Sequence, residues 1–551
     1  MMTQEFSDEQ KNLNNLIFLA HTHTKNLPAV VVNPFGHVPL SAMICFSTES
    51  PTHVSVKCND WQYMSNLQNT HMLPIFGLKP CYQNKIVYTL ANETEERHLF
   101  IETEELPEQI AKLDLIDVQN VALDKWFFVL PADEEHYAAA WDYQGNCCWY
   151  CTRKISHFMH KTKQGTFLVG GEPNLAPPYG PTPLWEIDLF GRLKKEYRLQ
   201  DGISQDILEI NHKEWIVVAR DEYTNTPLSS CYKIEGDRGQ SHLIFQADLY
   251  ASPKMKSRDW AHIKSIYNHV DNHSLYIFME KAQRLLVLDT DKETLLKDID
   301  CKTISQYKIL DLYPLNEKNT LLLQQTRNSV ECLMLHENTP IKLCEREGKC
   351  LLSKIISLDE NYIIHLGALD DATYSKHRLF SKMEGDFSLI HTKGVFLNQS
   401  LCKIGQYSLE IPTYGLWLYS PLDFSINYDK SVFLGEWKEA LEIDVLLPIK
   451  EVDSIETLEI KWEITSDRLI LIGSFLQGEA VACILEQDDK KYQYYIEANR
   501  WPQGTEWFYS NTERPERHVR WAIPIVDKKG KWKMSIWIDE TCYIMENYID
   551  F

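Results

Sequence analysis

Between residues 120 and 420 apolar and polar positions alternate in short runs broken by Gly, Asp or Asn, and helical periodicity is almost absent. Six segments share one texture: AAAWDYQGNCCWYCT (138–152), LWEIDLFGRLKKEYRL (184–199), CYKIEGDRGQSHLIF (231–245), LLVLDTDKETLLKDID (285–300), CLMLHENTPIKLCERE (332–346) and RLFSKMEGDFSLIHTKG (378–394). In each, alternating apolar residues flank a polar turn, which is the signature of a β-hairpin. A second hairpin follows each to complete its pair: FMHKTKQGTFLVGG, DILEINHKEWIVVA, HIKSIYNHVDNHSLYIFM, KILDLYPLNEKNTLLLQQ, LLSKIISLDENYIIHLG and, sixth, SLCKIGQYSLEIPTYGLWLYS. Paired hairpins recurring about every 50 residues are the spacing of propeller blades, and six of them leave a central funnel where strand ends converge.

Flanking segments alternate in the same way. Residues 28–92 read as strands of a small sandwich, and residues 440–551 do likewise. Helix is expected only at residues 7–20 and in the acidic stretch EELPEQIAKLDL. The expected fold is all-β: an N-terminal β-sandwich at 1–118, a six-bladed β-propeller at 119–435 and a C-terminal β-sandwich module at 440–551.

Composition narrows the partners. The chain has 551 residues and a net charge of -22, a field that repels phosphate backbones, so nucleic acid is not an expected partner. No run of about 18 apolar residues exists to span a membrane. The N-terminal stretch MMTQEFSDEQ is acidic where a secretory leader is basic. Its 14 cysteines lack zinc-ligand spacing, and neighbours such as Cys147 and Cys148 on a strand point to opposite faces. The expectation is a cytoplasmic protein with free thiols, no metal and no cofactor.

The segments VVVNPFGHVPLSAMICF, THVSVK and HMLPIFGLKPCYQNKIVYTL, followed by WDYQGNCCWY, TKQGTFLVGG, LWEIDLFGRLKKEYRL and DWAHIKSIYNHVDNHSLYIF, resemble the bacterial PAPS-independent arylsulfotransferases. The resemblance covers residues 28–300 well and 301–430 loosely. It implies an N-terminal β-domain and a six-bladed propeller whose funnel histidine takes a sulfuryl group from an aryl sulfate and passes it to a phenol. Such chemistry needs a neutral imidazole nucleophile, cations around the sulfuryl oxygens and an acid for the leaving phenoxide.

Carried over residue by residue, the family's site is incomplete here. Its His-His-Asp segment falls on Ser204, Gln205 and Asp206, so both histidines are missing. The Trp-x-His segment is retained as Trp260 and His262. A Ser-Arg-His segment with the sulfuryl-clamping arginine falls on Met279, Glu280 and Lys281, and the nucleophile of a Gln-His-Thr segment falls on Gln325. Lys281 or Arg327 could restore positive charge, and His365, at an alternating strand position in NYIIHLG, could face the funnel; the bland alternative for His365 is an inter-blade residue. The bland alternative for His262 is a blade-end histidine bonded to the neighbouring blade.

Two functions follow. With the nucleophile, clamp and second histidine substituted, a degenerate ligand-binding or scaffold protein is favoured, its ligand an aryl sulfate, phenol or glycan. The other is an active sulfotransferase or group-transfer enzyme using His262, acting on surface glycans or aryl compounds. The C-terminal segment (LILIGSFLQGEAVACILEQ, RWAIPIV, KWKMSIWIDE) resembles small β-sandwich modules of bacterial glycan-building enzymes, or is a module that caps the propeller.

Overall fold

Six antiparallel sheets, five of four strands and one of five, occupy the middle of the chain. The computed structural model describes residues 2–118, 121, 124–133, 135–171, 184–197, 203–211, 214–219, 229–235, 240–250, 260–268, 273–316, 318–336, 339–358, 361–369, 391–425, 451–454, 458, 460–466, 468–476, 481–488, 490–495, 516–525, 528–538 and 541–551. In blades two to six, strands follow one another outward from an inner strand. The inner strands are Ser156–Lys161, Ile203–Asn211, Ile263–Asn268, Lys308–Pro314 and Lys349–Leu358.

Blade one is assembled differently. Its outer strands, Trp126–Pro131, Ala138–Trp141 and Cys147–Cys151, come first in the chain, but its inner strand, Thr413–Tyr419, comes last. The six inner strands then neighbour one another in a closed ring. Pairing an early strand with a late one removes the sheet edges that an open array would expose.

This closure corrects the expected pairing: each of blades two to five joins the second hairpin of one expected pair to the first of the next. It also corrects the sixth second hairpin. The stretch SLCKIGQYSLEIPTYGLWLYS is not a hairpin: Lys403–Leu409 is the outer strand of blade six, and Thr413–Tyr419 turns away to blade one. Most of the hairpin expected at 378–394 lies outside the described residues; the third strand of blade six is His391–Asn398. The acidic stretch is not helical either. Pro107 cannot donate in a helix interior, its carbonyl instead accepts the Ile110 N–H in a turn at 3.1 Å, and Asp114–Ile116 becomes a fifth strand on blade six.

Before the propeller stand a three-stranded sheet (Ala29–Val32, Ala42–Thr52, Gln68–Ile75) and a four-stranded sheet (Val54–Cys58, Trp61–Met64, Gln83–Leu90, Arg97–Glu102). One hydrophobic core runs from the N-terminal helix (Met2–Thr22) through these sheets into blades one and two. Leu13, Leu16 and Ala20, on one helix face, are buried in it. Beside them Glu9 is buried too. Its carboxylate lies 2.5 Å from the guanidinium of Arg153 and 3.1 Å from His37 Nε2, and it accepts the Leu193 N–H of blade two at 3.2 Å. From Glu451 onward a six-stranded and a three-stranded sheet enclose a separate core around Leu469, Leu485, Trp532 and Met534.

Candidate funnel site

Every inner strand begins with a break in its register. The extra residues are His157 and Phe158 in blade two, 204–206 in blade three, and Lys264, Leu310, Leu351 and Tyr414 in blades four, five, six and one. A bulge twists its strand and re-aims side chains, which is why bulges gather beside sites. Here they turn polar groups toward the axis at one end of a propeller that is otherwise apolar between blades.

Two carboxylates organise that end. Asp206, in blade three, lies 2.7 Å from the ammonium of Lys354 in blade six and accepts the Ile266 N–H of blade four at 3.0 Å. Blades three and six are opposite in a ring of six, so this ion pair crosses the channel. Asp311, in blade five, is fully buried and accepts four hydrogen bonds: Ser265 Oγ at 2.6 Å, Tyr267 Oη at 2.7 Å, the Ile355 N–H at 2.7 Å and the Leu312 N–H at 2.9 Å. Burial pushes its carboxyl above the usual range, against the pull of these donors and of Lys264.

His262 stands immediately before the inner strand of blade four. It is 5 % exposed and left-handed, with φ 46°, a conformation His tolerates better than most residues. Its carbonyl accepts the Glu280 N–H at 2.9 Å, and its Nε2 lies 3.8 Å from the Glu280 carboxylate. Glu280 also meets the Lys308 ammonium at 2.6 Å. Burial alone would raise the Glu280 carboxyl, but Lys264, Lys308 and His262 together outweigh it and hold it below its ordinary value. Glu280 therefore stays ionised and is unsuited to protonating a leaving phenoxide.

The other expected positions scatter. Trp260 is buried in the apolar layer between blades three and four, with Phe245, Ile263 and Met279. Ser204 and Gln205 lie in the inner strand of blade three, and their side chains are outside the described residues. Gln325 ends the second strand of blade five, and its Nε2 faces the carbonyls of Thr326, Ser329 and Gly348 at 3.0–3.2 Å. Lys281 and Arg327 are exposed in the turns that follow Met279 and Gln325. His365 is corrected from a funnel residue to an inter-blade one. Its Nε2–H donates to the Thr413 carbonyl at 3.0 Å, its Nδ1 accepts from Tyr407 Oη at 2.6 Å, and burial lowers it to about 4, so it is a neutral structural link.

Four residues on the axis had not been singled out. Lys354 and Asp311 sit as charges inside the apolar runs LLSKIISL and KILDLYPL, a pattern that could have marked them. Lys264 is the bulge residue of the inner strand of blade four and acts electrostatically on Glu280, Asp311 and His365, in blades four, five and six. The fourth is His157, left-handed like His262 (φ 64°) and stacked on Tyr414 of blade one, ring centres 5.0 Å apart. Ser156 Oγ donates to the Gly171 carbonyl at 2.7 Å, so it accepts from His157 Nδ1 at 2.8 Å. The lone pair of His157 is then on Nε2, a buried atom with no hydrogen-bond partner. Burial lowers this imidazole to about 4. Among the described residues no group of three or more His, Cys, Asp or Glu side chains could hold a metal ion.

A six-bladed propeller with a charged funnel behind an N-terminal sandwich defines the class. Residues 29–105 match the family model of the arylsulfotransferase Ig-like domain, and residues 88–295 match that of the arylsulfotransferases (ASST). These two matches, which together span residues 29–295, support the arylsulfotransferase family for this part of the chain and, with it, an arylsulfotransferase-like function. The second match ends in the outer strand of blade four, Thr294–Asp300.

No protein of curated function matches the chain. Similar solved structures include hydrazine synthase of Kuenenia stuttgartiensis (9% identity, TM-score 0.28, 44% of this chain and 62% of that one). The β-propeller domain of Cps50 (Swd1) from Myceliophteria thermophila is similar at 8% identity and TM-score 0.30, over 56% of this chain and 97% of that one. Regucalcin, a calcium-binding protein of Agrobacterium tumefaciens, is similar at 14% identity and TM-score 0.30, over 56% of this chain and 92% of that one. The propeller follows from the chain's own sheet order rather than from these likenesses.

Proposed function

We propose that the funnel binds a small anion of the aryl sulfate type without transferring its sulfuryl group. The observation that carries this is Gln325. At the position matching the family's nucleophile stands a neutral amide whose Nε2 faces three backbone carbonyls. Such a group has no basic lone pair with which to form a sulfuryl adduct.

The charges on the axis favour an anion. Asp206 is matched by Lys354 and Glu280 by Lys308, and Asp311 is met by four hydrogen-bond donors, while Lys264 makes no hydrogen bond or ion pair among the described residues. A half-buried ammonium in a polar funnel draws anions more strongly than one in open water. Purified protein given 4-nitrophenyl sulfate and phenol should release no 4-nitrophenolate. Calorimetric titration with the same sulfate should show binding that weakens at least about tenfold in Lys264→Met, the effect of about 1.4 kcal/mol. Turnover by the natural protein that disappears in His262→Ala would overturn the proposal.

A second function has one observation behind it. His157 offers a neutral imidazole with an unpartnered Nε2 lone pair, the chemical form a sulfuryl-accepting histidine needs. Were the protein an active transferase, turnover would disappear in His157→Ala, and sulfuryl-histidine would be found at residue 157.

A further inference from the structure

Away from the funnel, two cysteines of blade five face each other. Cys332 lies in the third strand, Ser329–His336, and Cys344 in the outer strand, Thr339–Glu347, at directly opposed positions of the antiparallel ladder. Directly opposed antiparallel residues have Cα atoms about 4.5–5.5 Å apart, inside the range of about 4.4–6.8 Å that a disulfide bridges. Among the described residues no other two cysteines are paired across a ladder.

Their surroundings differ in a way that divides the chemistry between them. Cys332 is 1 % exposed, packed with Leu323, Val330 and Ile355 between blades five and six. Cys344 is half-buried at the rim of that layer. The neighbouring Cys332 sulfur pulls the Cys344 thiol below its ordinary value, and Lys403 of blade six and Lys342 reinforce it against burial. The Cys344 sulfur, with burial, pushes Cys332 up. A thiolate is thus favoured on the accessible partner, with a second sulfur held against it.

We propose that Cys332 and Cys344 are an oxidant-sensitive dithiol that closes to a cross-strand disulfide on reaction with a hydroperoxide. The Cys344 thiolate attacks the distal peroxide oxygen. The O–O bond breaks, and Cys344 becomes a sulfenic acid as hydroxide leaves and is protonated to water. The Cys332 sulfur then attacks the Cys344 sulfur; the S–O bond breaks, and the departing hydroxide takes the Cys332 proton. Two thiols and one hydrogen peroxide become one disulfide and two waters. The bridge fixes the outer strand to its neighbour where blade five packs on blade six.

The test is peptide mapping of the full-length native protein. After hydrogen peroxide and alkylation with iodoacetamide, the peptides holding residues 332 and 344 should be recovered linked, with both alkylation sites lost. Dithiothreitol should restore both. Cys332→Ser should give no linked peptide and instead a dimedone adduct at Cys344, the intermediate left without its resolving sulfur. Recovery of both cysteines fully alkylated after peroxide, or a Cys344 disulfide to any other cysteine, would overturn the proposal. So would a dimedone adduct at Cys332 rather than Cys344.

Discussion

The ring of Tyr407 lies across Gly394. A Cβ built at residue 394 would come within 2.0 Å of the Tyr407 ring, and it is over this glycine that Tyr407 reaches His365. The three residues occupy one row of blade six, His365 opposite Gly394 and Gly394 opposite Tyr407. Gly394→Ala must displace the ring and break its hydrogen bond to His365, an overpacking cost of about 1–3 kcal/mol. Urea denaturation checks this; an unchanged midpoint would show that the ring moves freely.

Acid should weaken the fold through neutral histidines. Burial lowers His157 and His365 from 6.5 to about 4. Between those values the unfolded chain binds protons that the native state refuses, so stability falls as pH drops through that window, by up to about 3 kcal/mol for each residue. Glu280, held low, loses its contribution in the same direction, and Asp311, held high, opposes it because its protonation in the native state is favoured. Denaturation midpoints measured from pH 7.5 to pH 4.5 should decline. His365→Gln, which can still donate to Thr413 and accept from Tyr407, should decline less steeply. Identical slopes would refute the assignment.

Asp206 and Lys354 should behave as a unit. Lys354→Met leaves a buried carboxylate with only the Ile266 N–H, and Asp206→Asn leaves an uncompensated ammonium. A double-mutant cycle on unfolding free energies should give a coupling of about 0.5–3 kcal/mol. Additive effects would mean that the two charges do not depend on each other across the channel.

Glu9 should hold the N-terminal helix to blade two. Its side chain and that of Arg153 are 2 % and 3 % exposed, and removing one partner of such a pair costs about 3–5 kcal/mol. In Glu9→Ala, amide exchange along residues 12–22 should quicken while exchange in blades four and five does not. Equal quickening everywhere would mean that the pair stabilises the whole fold rather than the helix contact.

The hairpins were legible because a period of two is a local signal, which is why the sequence pattern marks both hairpins of blades two to five. The closing strand Thr413–Tyr419 was not. Its partner Trp126–Pro131 lies far away in sequence, and nothing local distinguishes a strand that pairs backward across the ring from one that pairs forward. The site was legible only by chain position. Glu280 could be aligned, yet its pairing with Lys308 depends on the next blade. His365, whose alternation fits either a funnel or an inter-blade residue, is decided by Tyr407 and Thr413. Lys264 had no visible mark, since a bulge adds a residue without changing the pattern on either side.

Because the inner strand of blade one is the last propeller strand to leave the ribosome, the three strands from Trp126 to Cys151 are made long before their partner exists. Throughout synthesis Trp126–Pro131 presents an unsatisfied row of N–H and C=O groups, an adhesive edge for any other extended chain. Closure also joins segments of large sequence separation, whose loop entropy must be met before the contacts form, and such steps are slow. The nascent chain is therefore most vulnerable at an apolar strand that the finished fold buries along its whole length, and chaperone capture or premature aggregation should centre on residues 126–131 until residue 419 has emerged.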